Sequence, residues 1–369
     1  MTTPHEPPPY PEPEGPDISY DTGPGAPAGP AGTDTLAWPA DPGVRVALWA
    51  PTNAGKTTFM ESVLLGAMRP WQGRAEWTIQ TDDPAVQAAI NNVIDRLSLG
   101  GDLNAPTINP PPLTRWQVRR KATNTARHFP GIPARLRPAP RPDSTAAFEL
   151  QLQDLPGEVF VKRDHPRRAQ VVSLLAEADA FVYLYCPLLE QDDTLQRANA
   201  VFREMLDDVA RTVRAGNGGL SYLPQHIAVC ISKFDDRDVF GPAQRGGFVE
   251  REDTPERRPY ITEDNARAYF NLLCATYARS HATDFVRTAL ENRFRPGNIR
   301  YYATSALGFH LQDGQTAYGD RVDHPLARSS GGSRYLVQSE VRPVNVLEPV
   351  MDLCTAVLSA RGRTGGRRP

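Results

Sequence analysis

The residues best equipped for chemistry lie in one short run, Ala50-Pro51-Thr52-Asn53-Ala54-Gly55-Lys56-Thr57-Thr58. A small residue, four residues of any kind, then Gly-Lys-Thr is the spacing of a loop that cradles phosphate. Its backbone N–H groups curl around the phosphate oxygens, the lysine reaches the outer phosphates, and the hydroxyl after it can hold magnesium. Here the cradle would be lined by Asn53, Ala54, Gly55, Lys56, Thr57 and Thr58, with the cationic role on Lys56 and the metal role on Thr57. Ala50 stands where the first glycine of such a loop is expected. Its Cβ tolerates negative φ and resists positive φ, which implies a slightly different entry into the loop and not a broken one.

A second group sits about a hundred residues downstream in Asp154-Leu155-Pro156-Gly157-Glu158. An aspartate at the carboxyl end of a strand beside the phosphate loop can hold the magnesium through a water. A glycine three residues later lets its N–H approach the outermost phosphate. Asp154 and Gly157 fit those roles.

The third group is Ile231-Ser232-Lys233-Phe234-Asp235. At this point the chain resembles the guanine-nucleotide-binding branch of the phosphate-loop proteins, whose base-reading signature is Asn or Thr, Lys, any residue, Asp. The resemblance implies that Asp235 accepts from guanine N1–H and the exocyclic amine while the Lys233 stem lies along the base. Adenine presents no donors at those places, so a buried carboxylate there would be left unsatisfied. Ser232 departs from the signature but keeps a hydroxyl. Ala303-Thr304-Ser305-Ala306-Leu307-Gly308 resembles the segment whose backbone N–H meets guanine O6, with Ser305 and Ala306 at the matching positions.

The overall pattern resembles the bacterial double-GTPase group within the Ras-like superfamily, over roughly residues 43 to 360. That resemblance implies GTP and GDP as ligands with magnesium, hydrolysis by in-line attack of water, and a switch acting on a protein effector or a companion GTPase on a separate chain. Its members belong to prokaryotic signalling or conflict systems. Thr114, in Asn109-Pro110-Pro111-Pro112-Leu113-Thr114, would be the switch threonine that caps the metal; Thr107, Thr123 and Thr125 lie nearby. Glu158 stands where classical small GTPases carry the glutamine that orients the attacking water. A carboxylate can accept from that water but cannot donate to the transition state, which predicts slow turnover. Lys162, Arg163, Arg167 and Arg168 follow closely, and one of them could compensate as an arginine finger. Two alternatives stay open: a GTP-binding scaffold without meaningful catalysis, and an ATP-dependent enzyme.

These groups need a frame that brings them to one edge. Residues 44–49 are β-prone and lead directly into the phosphate loop, and the apolar spacing after it predicts a helix stopped by Pro70. Phe148, Leu150 and Leu152 alternate with Glu149, Gln151 and Gln153, as in a strand with one dry face. Residues 180–187 do not alternate and read as a strand buried on both faces, and 226–235 and 299–306 are candidates of the same kind. Helical stretches lie between them, at 194–216 and 264–294, and a last helix at 345–362 closes the chain. Strands alternating with helices predict a doubly wound α/β domain with a mostly parallel sheet.

The predicted organisation is a Pro- and Gly-rich disordered tail over 1–42, a GTPase domain over 43–360, and a basic tail over 361–369. Stretches near 100–145, 236–263 and 308–343 break the rhythm as inserts. With 369 residues and a formal net charge of -2, the chain is no polyelectrolyte for coating nucleic acid or anionic lipid. The arginine-rich stretch from Arg115 to Arg141, with Trp116 and Phe129, is more in keeping with a switch loop facing a triphosphate or an acidic partner than with a nucleic-acid groove. Cys186, Cys230, Cys274 and Cys354 lie far apart in apolar runs without metal-ligand spacing. No apolar run approaches the roughly 20 residues needed to span a bilayer, and a soluble, cytoplasmic, reduced protein is expected.

Overall fold

The β-prone run before the phosphate loop forms β1 (Val44–Trp49) at the centre of a seven-stranded sheet. The remaining strands of that sheet are β2 (Trp77–Gln80), β3 (Leu113–Arg120), β4 (Ala147–Asp154), β5 (Ala180–Tyr185), β6 (His226–Ile231) and β9 (Ile299–Ala303), in the order β2-β3-β4-β1-β5-β6-β9. From β4 to β9 all neighbours are parallel, and β2 and β3 add an antiparallel flank. The structure, a computed structural model, describes residues 37–39, 43–68, 77–81, 84, 87–88, 91, 113–120, 147–160, 162–191, 196–217, 221–276, 283–311, 314–319, 326–328, 335–337 and 340–365.

The helices that accompany these strands include α1 (Lys56–Met68), α2 (Arg168–Glu177), α3 (Gln196–Asn217), α4 (Arg237–Arg245), α5 (Glu263–Thr276), α6 (Thr283–Arg293) and α7 (Leu347–Gly365). Successive residues of the central strands supply opposite faces. Val46, Leu48, Val182 and Leu184 pack under α1 and α7, through residues such as Phe59, Val63, Val350 and Cys354. Ala47, Trp49, Phe181 and Tyr183 pack under α2 to α6, through Val171, Phe202, Phe240, Phe270 and Leu290. Helices therefore cover both faces of a mostly parallel sheet, the doubly wound α/β class expected from the alternation of elements.

Several local expectations change. Residues 113–120, inside the stretch read as an insert, form β3. Trp116 and Val118 are buried against the sheet's partner layer while Arg115, Gln117 and Arg119 are exposed. A strand with one wet face and flanking prolines offers little apolar signal. The polar stretch 236–263 holds α4, capped by Asp236, whose side chain accepts from the Asp238 N–H at 2.9 Å, with Pro242 inside the helix. It also holds the short ladder of β7 (Glu250–Arg251) with β8 (Pro259–Tyr260). Within the helical stretch expected over 264–294 lie α5 and α6, and the residues between them are outside the described ones. A further ladder, β10 (Leu326–Arg328) with β11 (Tyr335–Val337), belongs to the third insert.

Both tails also differ at their inner ends. Trp38, within the stretch read as disordered, is buried, and its indole N–H donates to the Leu174 carbonyl of α2 at 2.8 Å. Most of that tail lies outside the described residues. α7 continues to Gly365, and Arg361 bonds Asp179 at 2.7 Å, so the first residues of the basic tail are the last turn of this helix. Among the described residues no helix is long and apolar enough to cross a membrane.

Candidate functional site

In an open parallel sheet the loops at the carboxyl ends of the strands share one edge, and ligands favour the crevice where neighbouring strands send their connections in opposite directions. β1 and β5 are such a pair: the chain leaves β1 for the β2 edge and leaves β5 for β6. The phosphate loop follows β1. The loops after β4, β6 and β9 lie on the same edge, so the four sequence groups are gathered by topology alone.

The loop after β1 is concave. Asn53 and Gly55 both take positive φ, 66° and 86°, with Ala54 buried between them. Alternation of backbone hand turns successive N–H groups inward and makes a concavity suited to an anion. Gly55 is required by its φ, since space around its missing Cβ is open. Ala50 is fully buried in the apolar layer under α1 and is not among the positive-φ residues. An alanine is therefore accommodated without strain. α1 begins at Lys56, and the Phe59 N–H donates to Gly55 at 2.8 Å, so Thr57 and Thr58 occupy its first turn.

Lys56 and Asp154 meet. The ammonium lies 2.7 Å from the Asp154 carboxylate and donates to the Leu155 carbonyl. The side chains are only 12% and 19% exposed. Gly157 is pressed against the loop: a Cβ there would sit 2.9 Å from the Thr52 N–H nitrogen and 3.0 Å from its hydroxyl. The turn Gly157–Phe160 is held by Phe160, buried and stacked on Trp49 with ring centroids 5.3 Å apart. Thr52, exposed at the mouth of the loop, escaped the sequence reading because position, not residue type, brings it to Gly157.

Glu158 is exposed at this turn and faces Lys162 at 3.5 Å and His165 at 4.0 Å. The neighbouring arginines have other commitments. Arg163 forks onto Glu204 at 2.6 and 2.9 Å, and Arg168 bonds Asp208 at 2.8 Å. Both carboxylates belong to α3, so these two cations tie the segment to that helix. Arg167 sits just before α2.

The third and fourth sequence groups also converge. Lys233 adopts positive φ, 56°, which reverses the chain so that Phe234 is buried on Phe240 and Phe309. The Phe234 N–H donates to Thr304 at 3.0 Å, and Ser232 donates through its N–H to the Tyr185 carbonyl at 2.8 Å and through its hydroxyl at 3.3 Å. Both Ser232 bonds tie the start of this loop to the end of β5. Asp235 is buried, and one of its carboxylate oxygens accepts from the Ser305 hydroxyl at 2.5 Å. Asp236, its neighbour, is used as the cap of α4. The Ser305 N–H donates to the Val344 carbonyl at 3.0 Å.

Thr114 lies in β3, opposite Leu152 in the register, so its backbone belongs to the sheet and not to a loop. Thr107, Thr123, Thr125 and Phe129 fall outside the described residues. All four cysteines are buried and free. Burial raises the pKa of the Cys186, Cys230 and Cys354 thiols, which keeps them protonated and inert.

No family model matches the chain, and no curated protein does. Solved structures similar to it include an ADP-ribosylation-factor-like GTP-binding protein, the small COPII coat GTPase SAR1 from Encephalitozoon cuniculi, in complex with GDP. It is 10% identical, with 87% of this chain and 83% of that one covered and a TM-score of 0.30. The signal recognition particle receptor SRb-GTP/SRX complex from Chaetomium thermophilum is 12% identical, over 75% and 95%, with a TM-score of 0.33. Sup35 complexed with GDP is 12% identical over 71% and 37%, with a TM-score of 0.27. Likeness at that level does not decide what this chain does.

Proposed function

We propose that the chain binds GTP with magnesium, hydrolyses it to GDP, and acts as a nucleotide-dependent switch on a protein partner. The observation that carries this reading is the pairing of two half-sites on one sheet edge: Lys56 with Asp154 beneath a phosphate-shaped loop, and Asp235 with Ser305 in a buried base-reading corner. The resemblance to the bacterial double-GTPase group extends the reading to a prokaryotic signalling or conflict system, with a companion GTPase or effector on a separate chain and the work done in the cytoplasm.

The residues fit a metal–triphosphate. Lys56 and Asp154 compensate each other's charge, and a magnesium–phosphate unit can replace both partners charge for charge. Thr57 and Asp154 would hold the metal, with Thr114 as the third candidate. Bound magnesium would neutralise charge on the phosphate oxygens. Lys56 would then stabilise the charge that develops between the outer phosphates, and the Gly157 N–H would approach the outermost one. The close fit of Gly157 on Thr52 couples the loop after β4 to the phosphate loop. A shift of this turn between GTP and GDP would pass to α3 through the Arg163 and Arg168 ties, which is the element a partner could sense.

Equilibrium binding of GTP, GDP and ATP in the presence of magnesium tests the reading. Guanine nucleotides are expected to bind at least about a thousandfold more tightly than ATP, because adenine leaves Asp235 without donors. Equal affinity would remove the guanine assignment in favour of an ATP-dependent enzyme.

A second reading, a GTP-binding scaffold with little turnover, is favoured by Glu158. Its carboxylate would place negative charge beside the reacting phosphate, partly offset by Lys162. Glu158→Gln is expected to raise the single-turnover hydrolysis rate about tenfold, since an amide can both accept from water and donate to the transition state. An unchanged rate counts against a catalytic role for this position and supports the scaffold.

A further inference from the structure

The base-reading corner is gripped from outside by residues of two inserts. Ser305 and Val344 exchange backbone bonds at 3.0 and 2.8 Å, and the Arg342 N–H donates to Leu307 at 3.0 Å. Gly308, at φ 81°, lies so close that a Cβ would stand 2.0 Å from the Arg342 carbonyl oxygen. The Arg342 guanidinium then bridges two carboxylates, Glu256 at 2.6 Å and Glu340 at 3.0 Å. Glu256 belongs to the turn between β7 and β8, and its carbonyl accepts from the Tyr318 N–H at 2.8 Å. The Tyr318 hydroxyl donates in turn to the Phe309 carbonyl at 3.1 Å. Leu307, Val337 and Val341 close an apolar cluster with Leu65 of α1, the helix that begins at Lys56.

We propose that Arg342 is a positioning residue for base recognition. By bridging Glu256 and Glu340 it presses the main chain of 340–344 onto Ser305–Gly308, and so keeps the Ser305 hydroxyl on Asp235 and the Ala306 amide in place. The inserts that carry Arg342 and Glu256 thereby act as a clamp that slows release of guanine nucleotide. This inference rests on the GTP reading above. The ion pairs act through the backbone they immobilise.

The test is release of fluorescent GDP and of the matching inosine nucleotide, which lacks the exocyclic amine, from wild type, Arg342→Ala and Glu256→Gln. GDP release is expected to accelerate about tenfold in both variants, with association little changed, as loss of a charge-assisted pair that orders a binding loop would give. Release of the inosine nucleotide should accelerate less, because only the amine-bearing base draws fully on Asp235. Glu256→Gln keeps a hydrogen-bonding side chain and reports on the clamp if the alanine variant folds poorly. Equal acceleration for both nucleotides would make the role merely structural and overturn the proposal. Unchanged GDP release would overturn it too, while wild type's preference for guanine over adenine left the underlying reading standing. A wild type without that preference would overturn both.

Discussion

Asp235→Asn is expected to weaken GTP and GDP binding by about two to four orders of magnitude, the loss of two hydrogen bonds to a charged acceptor at about 1.5–3 kcal/mol each. The same change should bring a gain for xanthine nucleotide, whose second ring carbonyl can accept from the new amide N–H. The variant is a test of chemistry and not of folding. Asn keeps an oxygen for the Ser305 hydroxyl, which donates to Asp235 at 2.5 Å, so the corner is retained. Asp236→Asn is the matched control. Its side chain caps α4, a task asparagine performs about as well as aspartate, and base preference should not move. Isothermal titration with the three nucleotides checks both variants; a loss at Asp236 without one at Asp235 would shift base reading by one residue.

Lys56→Met is expected to reduce triphosphate affinity by at least about a hundredfold, because a single ammonium contributes about 1.5–3 kcal/mol to each charge-assisted bond with phosphate. It should also destabilise the protein itself. Asp154 would keep a carboxylate only 19% exposed without the cation that lies 2.7 Å away, a loss of about 2 kcal/mol for a pair at this depth. Adding Asp154→Asn should recover the melting temperature by removing the unpaired charge, while nucleotide binding stays lost. Calorimetry beside titration separates the two effects. Recovery of both would mean that the lysine serves the fold and not the phosphates. Arg at position 56 is expected to be a poor substitute, since a compact ammonium and a planar guanidinium occupy a tight loop differently.

Much of the frame was legible because local patterning is dictated by burial. β5 is buried at every position, and an unbroken apolar run says as much. β4 was legible from its alternation, although Gln151 and Gln153 on its polar side are buried as well. The loop between β1 and α1 was legible as a glycine-containing turn from strand to helix, because its shape is set by residues close in the chain. β3 and α4 were not, for opposite reasons. β3 hides two buried side chains among exposed arginines, and α4 carries Pro242 and charged residues around only three buried positions. In both cases the packing of a neighbour, not intrinsic propensity, supplies the stabilisation.

The amino-acid sequence by itself determined the strand, loop and helix at the start of the domain, the order of the four groups and the alternation that demands a covered parallel sheet, because each depends on residues close in the chain. Tertiary structure alone decided which charges are free to act. It set Arg163 and Arg168 on α3, turned Asp236 into a helix cap, left Asp235 to Ser305, and bound the Arg342 clamp to Glu256. Ion pairing is decided by approach through space, and partners such as Arg342 and Glu256, 86 positions apart, leave no local spacing from which that approach can be read.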